Sequence, residues 1–99
     1  IVSATPGANE MALEYSLTQN YPNPFNSQTS FSFTIPAADN VTLKVFDLTG
    51  REVATVVNGR MNSGSHTVNW TAEGLATGVY MYTLTSGDFT QTKKLLYLK

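Results

Sequence analysis

Short runs of β-prone residues, separated by turn signals, recur along this chain at intervals of roughly 8–12 residues. This rhythm is typical of antiparallel sandwiches, because each run suits one strand and each link is too short for a crossover helix. The clearest run is Thr29–Ile35, in which Phe31, Phe33 and Ile35 alternate with hydroxyl side chains. Such alternation indicates a strand with one face in the core and the other in solvent.

Seven strands are predicted in this way, with bounds set by the turn residues between them. The predicted strands are Leu13–Asn20, Thr29–Ile35, Val41–Leu48, Val53–Val57, Ser65–Thr71, Val79–Thr85 and Phe89–Lys99. Gly50, Ala38-Asp39-Asn40 and Ser86-Gly87-Asp88 indicate turns, and Asn58-Gly59 is the strongest hairpin signal because both residue types tolerate a positive φ. The sequence therefore predicts an all-β, seven-stranded antiparallel immunoglobulin-like sandwich.

The domain organisation follows from where this pattern begins. Residues 1–12 lack any hydrophobic period and are rich in small and turn-forming residues, so they are predicted to be a flexible linker. Residues 13–99 are predicted to form one domain, since a chain of 99 residues suits one core. Because the chain starts at Ile1 rather than Met, we expect it to be a fragment of a longer polypeptide whose targeting signal lies upstream.

The composition excludes several classes of function. Six basic and seven acidic residues give a formal net charge of −1, which offers no electrostatic footprint for nucleic acid. The absence of cysteine excludes disulfides and thiolate metal sites. There is no phosphate loop or dinucleotide fingerprint, and no run approaches the ~20 apolar residues of a membrane span. No cofactor and no transmembrane segment are expected.

Candidate catalytic and metal-binding side chains are few. The one histidine, His66, lies mid-strand near Val68 and is predicted to be structural. Most carboxylates fall in predicted turns, at strand ends or in the linker, so a catalytic pair across a cleft is not expected. Asp39, Asn40 and Asp47 remain a minor alternative as calcium ligands, because calcium takes oxygen ligands from turns. No catalytic or metal-ligating residue is predicted.

The aromatic residues Trp70, Tyr80 and Tyr82 allow two interpretations. They are either core residues or a stacking platform for sugars. Trp70 shares a strand face with Val68, which favours the core. Tyr80 follows the loop from Gly74 to Gly78, where a tyrosine corner occurs in Greek-key sandwiches, with its hydroxyl bonded to upstream backbone.

The final segment, Lys93–Lys99, has the sequence KKLLYLK. Leu96 and Leu98 share one face of the predicted strand, and Leu95 and Tyr97 share the other. One interpretation is an edge strand whose lysines discourage unwanted pairing. The other is a recognition strand.

Five stretches, in order along residues 17–99, resemble the motifs of one known family. They are LTQNYPNPFN at residues 17–26, VTLKVFDLTGREV at 41–53, GSHTVNW at 64–70, GVYMY at 78–82 and KKLLYLK at 93–99. Together they resemble the type A C-terminal sorting domains of the type IX secretion system. Ser27-Gln28 stand where the family often has another proline.

The resemblance implies a non-catalytic export signal on a larger cargo protein of a Gram-negative bacterium. The cargo reaches the periplasm, the folded domain is recognised by the outer-membrane translocon, and a surface sortase usually cuts in the preceding linker. The product is then secreted or held at the cell surface. The family positions associated with recognition correspond to Gly78, Tyr80, Lys94 and Lys99.

A physical hypothesis accompanies this resemblance. A strand at a sheet edge presents unpaired backbone groups, and a receptor can add a strand there. We expect the edge around Phe89–Lys99 to be that surface.

Two other classes of function remain open from the sequence. One is an accessory carbohydrate-binding or adhesion module of a polysaccharide-degrading enzyme, which requires exposed aromatic side chains. The other is a structural domain like the immunoglobulin-like domain of the flagellar hook-capping protein. An enzyme is the least favoured interpretation.

Overall fold

The computed structural model describes residues 14–99, which form seven strands and no helix. The strands are β1 (Ser16–Leu17), β2 (Gln28–Ile35), β3 (Asp39–Phe46), β4 (Glu52–Met61), β5 (Gly64–Thr71), β6 (Gly78–Ser86) and β7 (Phe89–Tyr97). The predicted linker, residues 1–12, lies outside the described residues.

The strands form two antiparallel sheets. One sheet has three strands in the order β1-β2-β5, and the other has four in the order β4-β3-β6-β7. All paired neighbours are antiparallel. The predicted all-β immunoglobulin-like sandwich is confirmed, and β7 is an edge strand as predicted.

The core lies between the sheets and contains the residues that the alternating pattern assigned to it. Phe31, Phe33 and Ile35 of β2 are buried, whereas Ser32 and Thr34 between them are partly exposed. β3 buries Val41, Leu43 and Val45 in the same way, and Tyr82, Leu84 and Leu95 complete the centre of the core. Burial of apolar area on this scale is the main stabilising contribution to such a domain.

The hairpin predicted at Asn58-Gly59 is wrong. β4 runs on through both residues, with Asn58 paired to Thr42 and Gly59 paired to Val41. The local turn preference is overridden because β3 begins at Asp39 and supplies backbone partners along the whole of β4. For the same reason Asp39 and Asn40, predicted as a turn, lie at the start of β3. The predicted turns at Gly50 and Gly87 are confirmed, with φ of 90° and 57°.

The first strand is shorter than predicted, and the chain after it crosses between the sheets. Only Ser16–Leu17 pairs as β1, although the amide of Thr18 still donates to the carbonyl of Ser32 at 3.0 Å and Tyr21 forms a bridge with Ser30. Phe25 then forms a bridge with Tyr97 of the other sheet. The peptide bonds preceding the two prolines of this stretch are both cis.

Candidate functional site

The candidate recognition residues lie at or near one end of the β6–β7 hairpin. Gly78 opens β6 and pairs with Tyr97 on β7. The backbone amide of Lys99 donates to the hydroxyl of Thr77 at 2.9 Å, which holds Lys99 beside the start of β6. The fold therefore brings Gly78 and Lys99 together from positions 21 residues apart in the sequence (99 − 78).

Tyr80 lies beneath this surface rather than on it. Its side chain is only 7% exposed, and its hydroxyl donates to the carbonyl of Ala76 at 2.6 Å. This bond joins a tyrosine at the start of a strand to backbone four residues upstream. It confirms the predicted tyrosine corner. Tyr80 fixes the loop that precedes Gly78, and a partner on the outside reaches little of its side chain.

Lys94 is exposed and lies farther along the hairpin, opposite Met81. Its pair lies three positions along the strand from the Gly78 pair, which corresponds to roughly 10 Å at the usual rise per strand residue. Within residues 14–99 the ion pairs are Lys44 with Glu52 and Arg51 with Asp47, so neither Lys94 nor Lys99 has an acidic partner there.

The outer edge of β7 is covered over its C-terminal half. Phe25 lies parallel to Tyr97, its amide donates to the carbonyl of Leu96 at 3.1 Å, and its carbonyl accepts from the amide of Leu98 at 2.8 Å. These bonds use the backbone groups that a receptor strand would need.

Side chains extend this cover. The side-chain amide of Gln19 donates to the carbonyl of Lys94 at 2.6 Å. The side-chain oxygen of Asn23 accepts from the amide of Leu96 at 3.0 Å. We call residues 19–25 the proline segment, because it contains both prolines of the NYPNPF sequence.

The proline segment is held in place by a buried polar network. The hydroxyl of Tyr82 donates to the carbonyl of Thr18 and accepts from the amide of Asn20, each at 2.9 Å. The Asn20 side chain donates to the hydroxyl of Thr29 at 3.0 Å and to the carbonyl of Pro22 at 3.1 Å. Burial raises the pKa of Tyr82, and the hydrogen bond from the Asn20 amide opposes that shift.

The edge hypothesis therefore needs correction. Alternate residues of an antiparallel strand direct their backbone groups away from the partner strand. The backbone N–H and C=O groups of Leu96 point outward, as do the backbone groups of Thr90 and Thr92 on the same strand. Lys94 also faces outward, and its carbonyl accepts from the side chain of Gln19. Within residues 14–99, Thr90 and Thr92 have no backbone hydrogen-bond partner on that side. Strand addition along the whole of Phe89–Lys99 is excluded while the proline segment is in place.

His66 has the structural role that was predicted. It lies on β5, an edge strand, and is partly buried against Phe33, with ring centroids 5.5 Å apart. Its Nε2 lies 2.7 Å from the carbonyl oxygen of Asn62.

The candidate calcium ligands do not converge. Asp47 accepts hydrogen bonds from the hydroxyl of Thr49 and from the amides of Thr49 and Arg51, and these bonds lower its pKa. Asp39 instead accepts from the amide of Asn40 at 2.7 Å. No group of three or more acidic or histidine side chains suited to a metal ion, and no pocket, occurs in the described part of the chain.

The aromatic side chains do not form an exposed platform. Tyr82 is 0% exposed and Tyr80 is 7% exposed. Trp70 is partly buried and packs on Phe25 and Phe31, with ring centroids 6.0 and 6.1 Å away. The core interpretation is confirmed, and the sugar platform of these three residues is not formed.

A comparison with protein families decides among the remaining interpretations. Residues 19–98 match the family described as the secretion system C-terminal sorting domain. The chain belongs to this family. It therefore carries a C-terminal sorting signal for type IX secretion, which implies export to the cell surface or the extracellular space. No curated protein matches the chain. Within residues 14–99 no helix is long and apolar enough to cross a membrane.

The proline segment is the part of the site that residue patterns alone missed. Two prolines showed that regular pairing stops there, but not that the chain continues onto the edge of β7. The available signal was the pair Gln19 and Asn23, whose amide side chains suit hydrogen bonding to free strand backbone.

Proposed function

We propose that this domain is a non-catalytic sorting signal that the type IX translocon recognises in its folded state to carry a larger protein across the outer membrane. The observation that carries the proposal is the family match over residues 19–98. The family consists of sorting signals and is not known for catalysis.

Recognition of the folded state is supported by where the motif residues lie. Gly78 and Lys99 become neighbours only through the β6–β7 pairing and the bond to Thr77. In an unfolded chain the same residues form no common surface.

We assign different roles to the four family positions. Gly78, Lys94 and Lys99 are accessible at least in part and supply direct contacts. Tyr80 is a positioning residue, because its hydroxyl is used to hold the loop at Ala76.

The processing step is part of the same proposal. A surface sortase removes the domain by cutting within residues 1–12, whose composition is that of a linker, and proteases act most readily on such segments. The cargo lies N-terminal to this segment, and a glycoside hydrolase or another extracellular enzyme is the expected kind.

The test is an export assay. A reporter with a periplasmic signal peptide is fused to residues 1–99 and expressed in a host with a type IX system. Deletion of Leu95–Lys99 is a poor test, because it also removes the buried side chains of Leu95 and Tyr97. The informative variants are Lys94→Ala and Lys99→Ala, with Arg60→Ala on the far edge strand β4 as the control.

We expect the wild-type fusion to appear outside the cell and the Lys94→Ala/Lys99→Ala double variant to accumulate in the periplasm. Arg60→Ala should be exported normally. Export of the wild-type fusion at the level of a reporter without the domain would refute the proposed function. Normal export of the double variant would refute the assignment of the lysines.

A further inference from the structure

One end of the β6–β7 hairpin is apolar on both faces. The inner face there contains Tyr80, Tyr82, Leu95 and Tyr97, all in the core. The outer face contains Val79, Met81, Leu96 and Leu98, and none of these four packs against the core.

The outer residues form one contiguous group across three strands. Val79 is paired with Leu96, and Met81 is paired with Phe46 on β3, whose side chain also lies outside the core. Directly opposed side chains on a sheet face lie about 5 Å apart, close enough for contact. We call this group, completed by Leu98, the outer patch. Val79 is 37% exposed and Leu98 is 43% exposed.

The rest of the same sheet face is polar. Farther along the hairpin, Thr83 is opposite Thr92, and their hydroxyls are 2.8 Å apart. Thr85 is opposite Thr90. Threonine meets the requirements of a strand as well as valine does. The apolar residues at one end are therefore not explained by strand formation.

Positive charge adjoins the outer patch. Lys94 is directly opposite Met81, and Lys99 follows Leu98. Neither lysine has an ion pair within residues 14–99. On the opposite side of the patch, Glu52 is paired with Phe46, and its carboxylate is 3.3 Å from the ammonium of Lys44. The surface is apolar in the centre and positive along one side.

We propose that the outer patch is a docking surface for a protein that presents apolar side chains flanked by carboxylates. This inference rests on the proposed function and makes that protein a component of the export machinery that binds the domain. The apolar centre supplies affinity, and the lysines favour an acidic partner.

A protein fits this surface better than a membrane does. Phe46 and Met81 lie on a sheet and are only partly exposed, so they do not protrude as a side chain must to enter the acyl region. Glu52 on the same face opposes approach to anionic headgroups, whereas a protein partner accommodates one carboxylate at its rim.

The test uses the same reporter fused to residues 1–99. Met81→Glu and Leu96→Glu place a carboxylate within the patch without disturbing the core. Thr85→Glu and Thr90→Glu are matched controls on the same two strands and the same face. Thermal unfolding of each purified domain checks folding, and flotation with vesicles of phosphatidylethanolamine and phosphatidylglycerol measures membrane binding.

We expect at least a tenfold loss of export for both patch variants and less than a twofold change for the controls, with melting temperatures within a few degrees of wild type. Normal export of folded patch variants, with the wild type exported, overturns the docking surface and leaves the proposed function standing. Failure of the wild type to be exported removes both. Vesicle binding by the wild type that the patch variants lose would replace a protein partner with a lipid surface.

Discussion

Removal of one hydroxyl group tests how the proline segment is attached to the core. In Tyr82→Phe the aromatic ring, which is 0% exposed, keeps its packing. The variant loses the two hydrogen bonds, each of 2.9 Å, that join β6 to Thr18 and Asn20. The change is therefore confined to polar contacts.

The expected cost follows from what the lost hydroxyl leaves behind. The amide of Asn20, a residue only 2% exposed, has no other bond to replace it. A buried backbone group without a partner costs about 1–3 kcal/mol. Thr18 is exposed, so water satisfies its carbonyl and adds little. We expect a loss of about 2 kcal/mol, which lowers the melting temperature by roughly 10 °C in a domain of this size.

Tyr80→Phe is the matched control. It also removes a single buried tyrosine hydroxyl, but the carbonyl that it leaves is on Ala76, which is exposed and can bind water. A loss of about 1 kcal/mol or less is expected. Urea unfolding followed by the fluorescence of Trp70, the one tryptophan, measures both variants. If Tyr82→Phe loses no more than Tyr80→Phe, the network does not hold the proline segment as argued.

Tyr82 also makes the stability of the domain depend on pH in a definite direction. Burial raises the pKa of Tyr82 in the folded state above its ordinary value of 10.0. The resulting stability is present below pH 10.0 and is lost as the pH rises through the raised folded value. Tyr82→Phe should therefore lose stability less steeply above pH 10.0 than the wild type does. An unchanged alkaline slope would contradict the assignment.

Two further predictions concern turns. The hydrogen bond from the Thr49 hydroxyl is the main cause of the lowered pKa of Asp47. The stability that Asp47 contributes is therefore present above pH 3.8 and is lost as the pH falls through the lowered folded value. In Asp47→Asn the free energy of unfolding, followed by circular dichroism, should fall less steeply below pH 3.8 than in the wild type. Gly87→Ala should cost about 1–2 kcal/mol in urea unfolding, because φ is +57° and an added Cβ would lie 3.1 Å from a carboxylate oxygen of Asp39. Gly59→Ala meets nothing within 4 Å and should be neutral or slightly stabilising; an equal loss for both would contradict this.

The alternation of apolar and polar residues predicted most of the fold, because it indicates which side chains of a strand are buried. Phe31, Phe33 and Ile35 had only one way to be buried together, and the same holds for Val41 and Leu43. The hairpin prediction at Asn58-Gly59 failed because the local turn preference competes with backbone pairing to β3. These partners are distant in the sequence, so a short stretch around Asn58 does not reveal them. The tyrosine corner succeeded because Tyr80 and the loop before it lie within a few residues of each other.

The candidate site was less predictable, because it depends on which segments meet across the sheets. The side-chain alternation separated Leu95 and Tyr97 from Leu96 and Leu98, but both faces are apolar, so it did not indicate that Leu95 and Tyr97 are the buried pair. The same alternation indicates the outer patch, because Val79 and Met81 alternate with buried tyrosines and form a second apolar face. No residue pattern predicted the position of Phe25 on the edge of β7, because that position depends on the chain crossing from one sheet to the other.

Bonds between the proline segment and β7 join residues 73 and 75 positions apart in the sequence. Contacts of such separation form late and slowly, because most of the chain must be ordered before they are made. During synthesis the domain therefore completes its shape only after β7 has been made. Under the proposed recognition of the folded domain, a cargo molecule whose translation stops before β7 lacks a finished signal and is not exported.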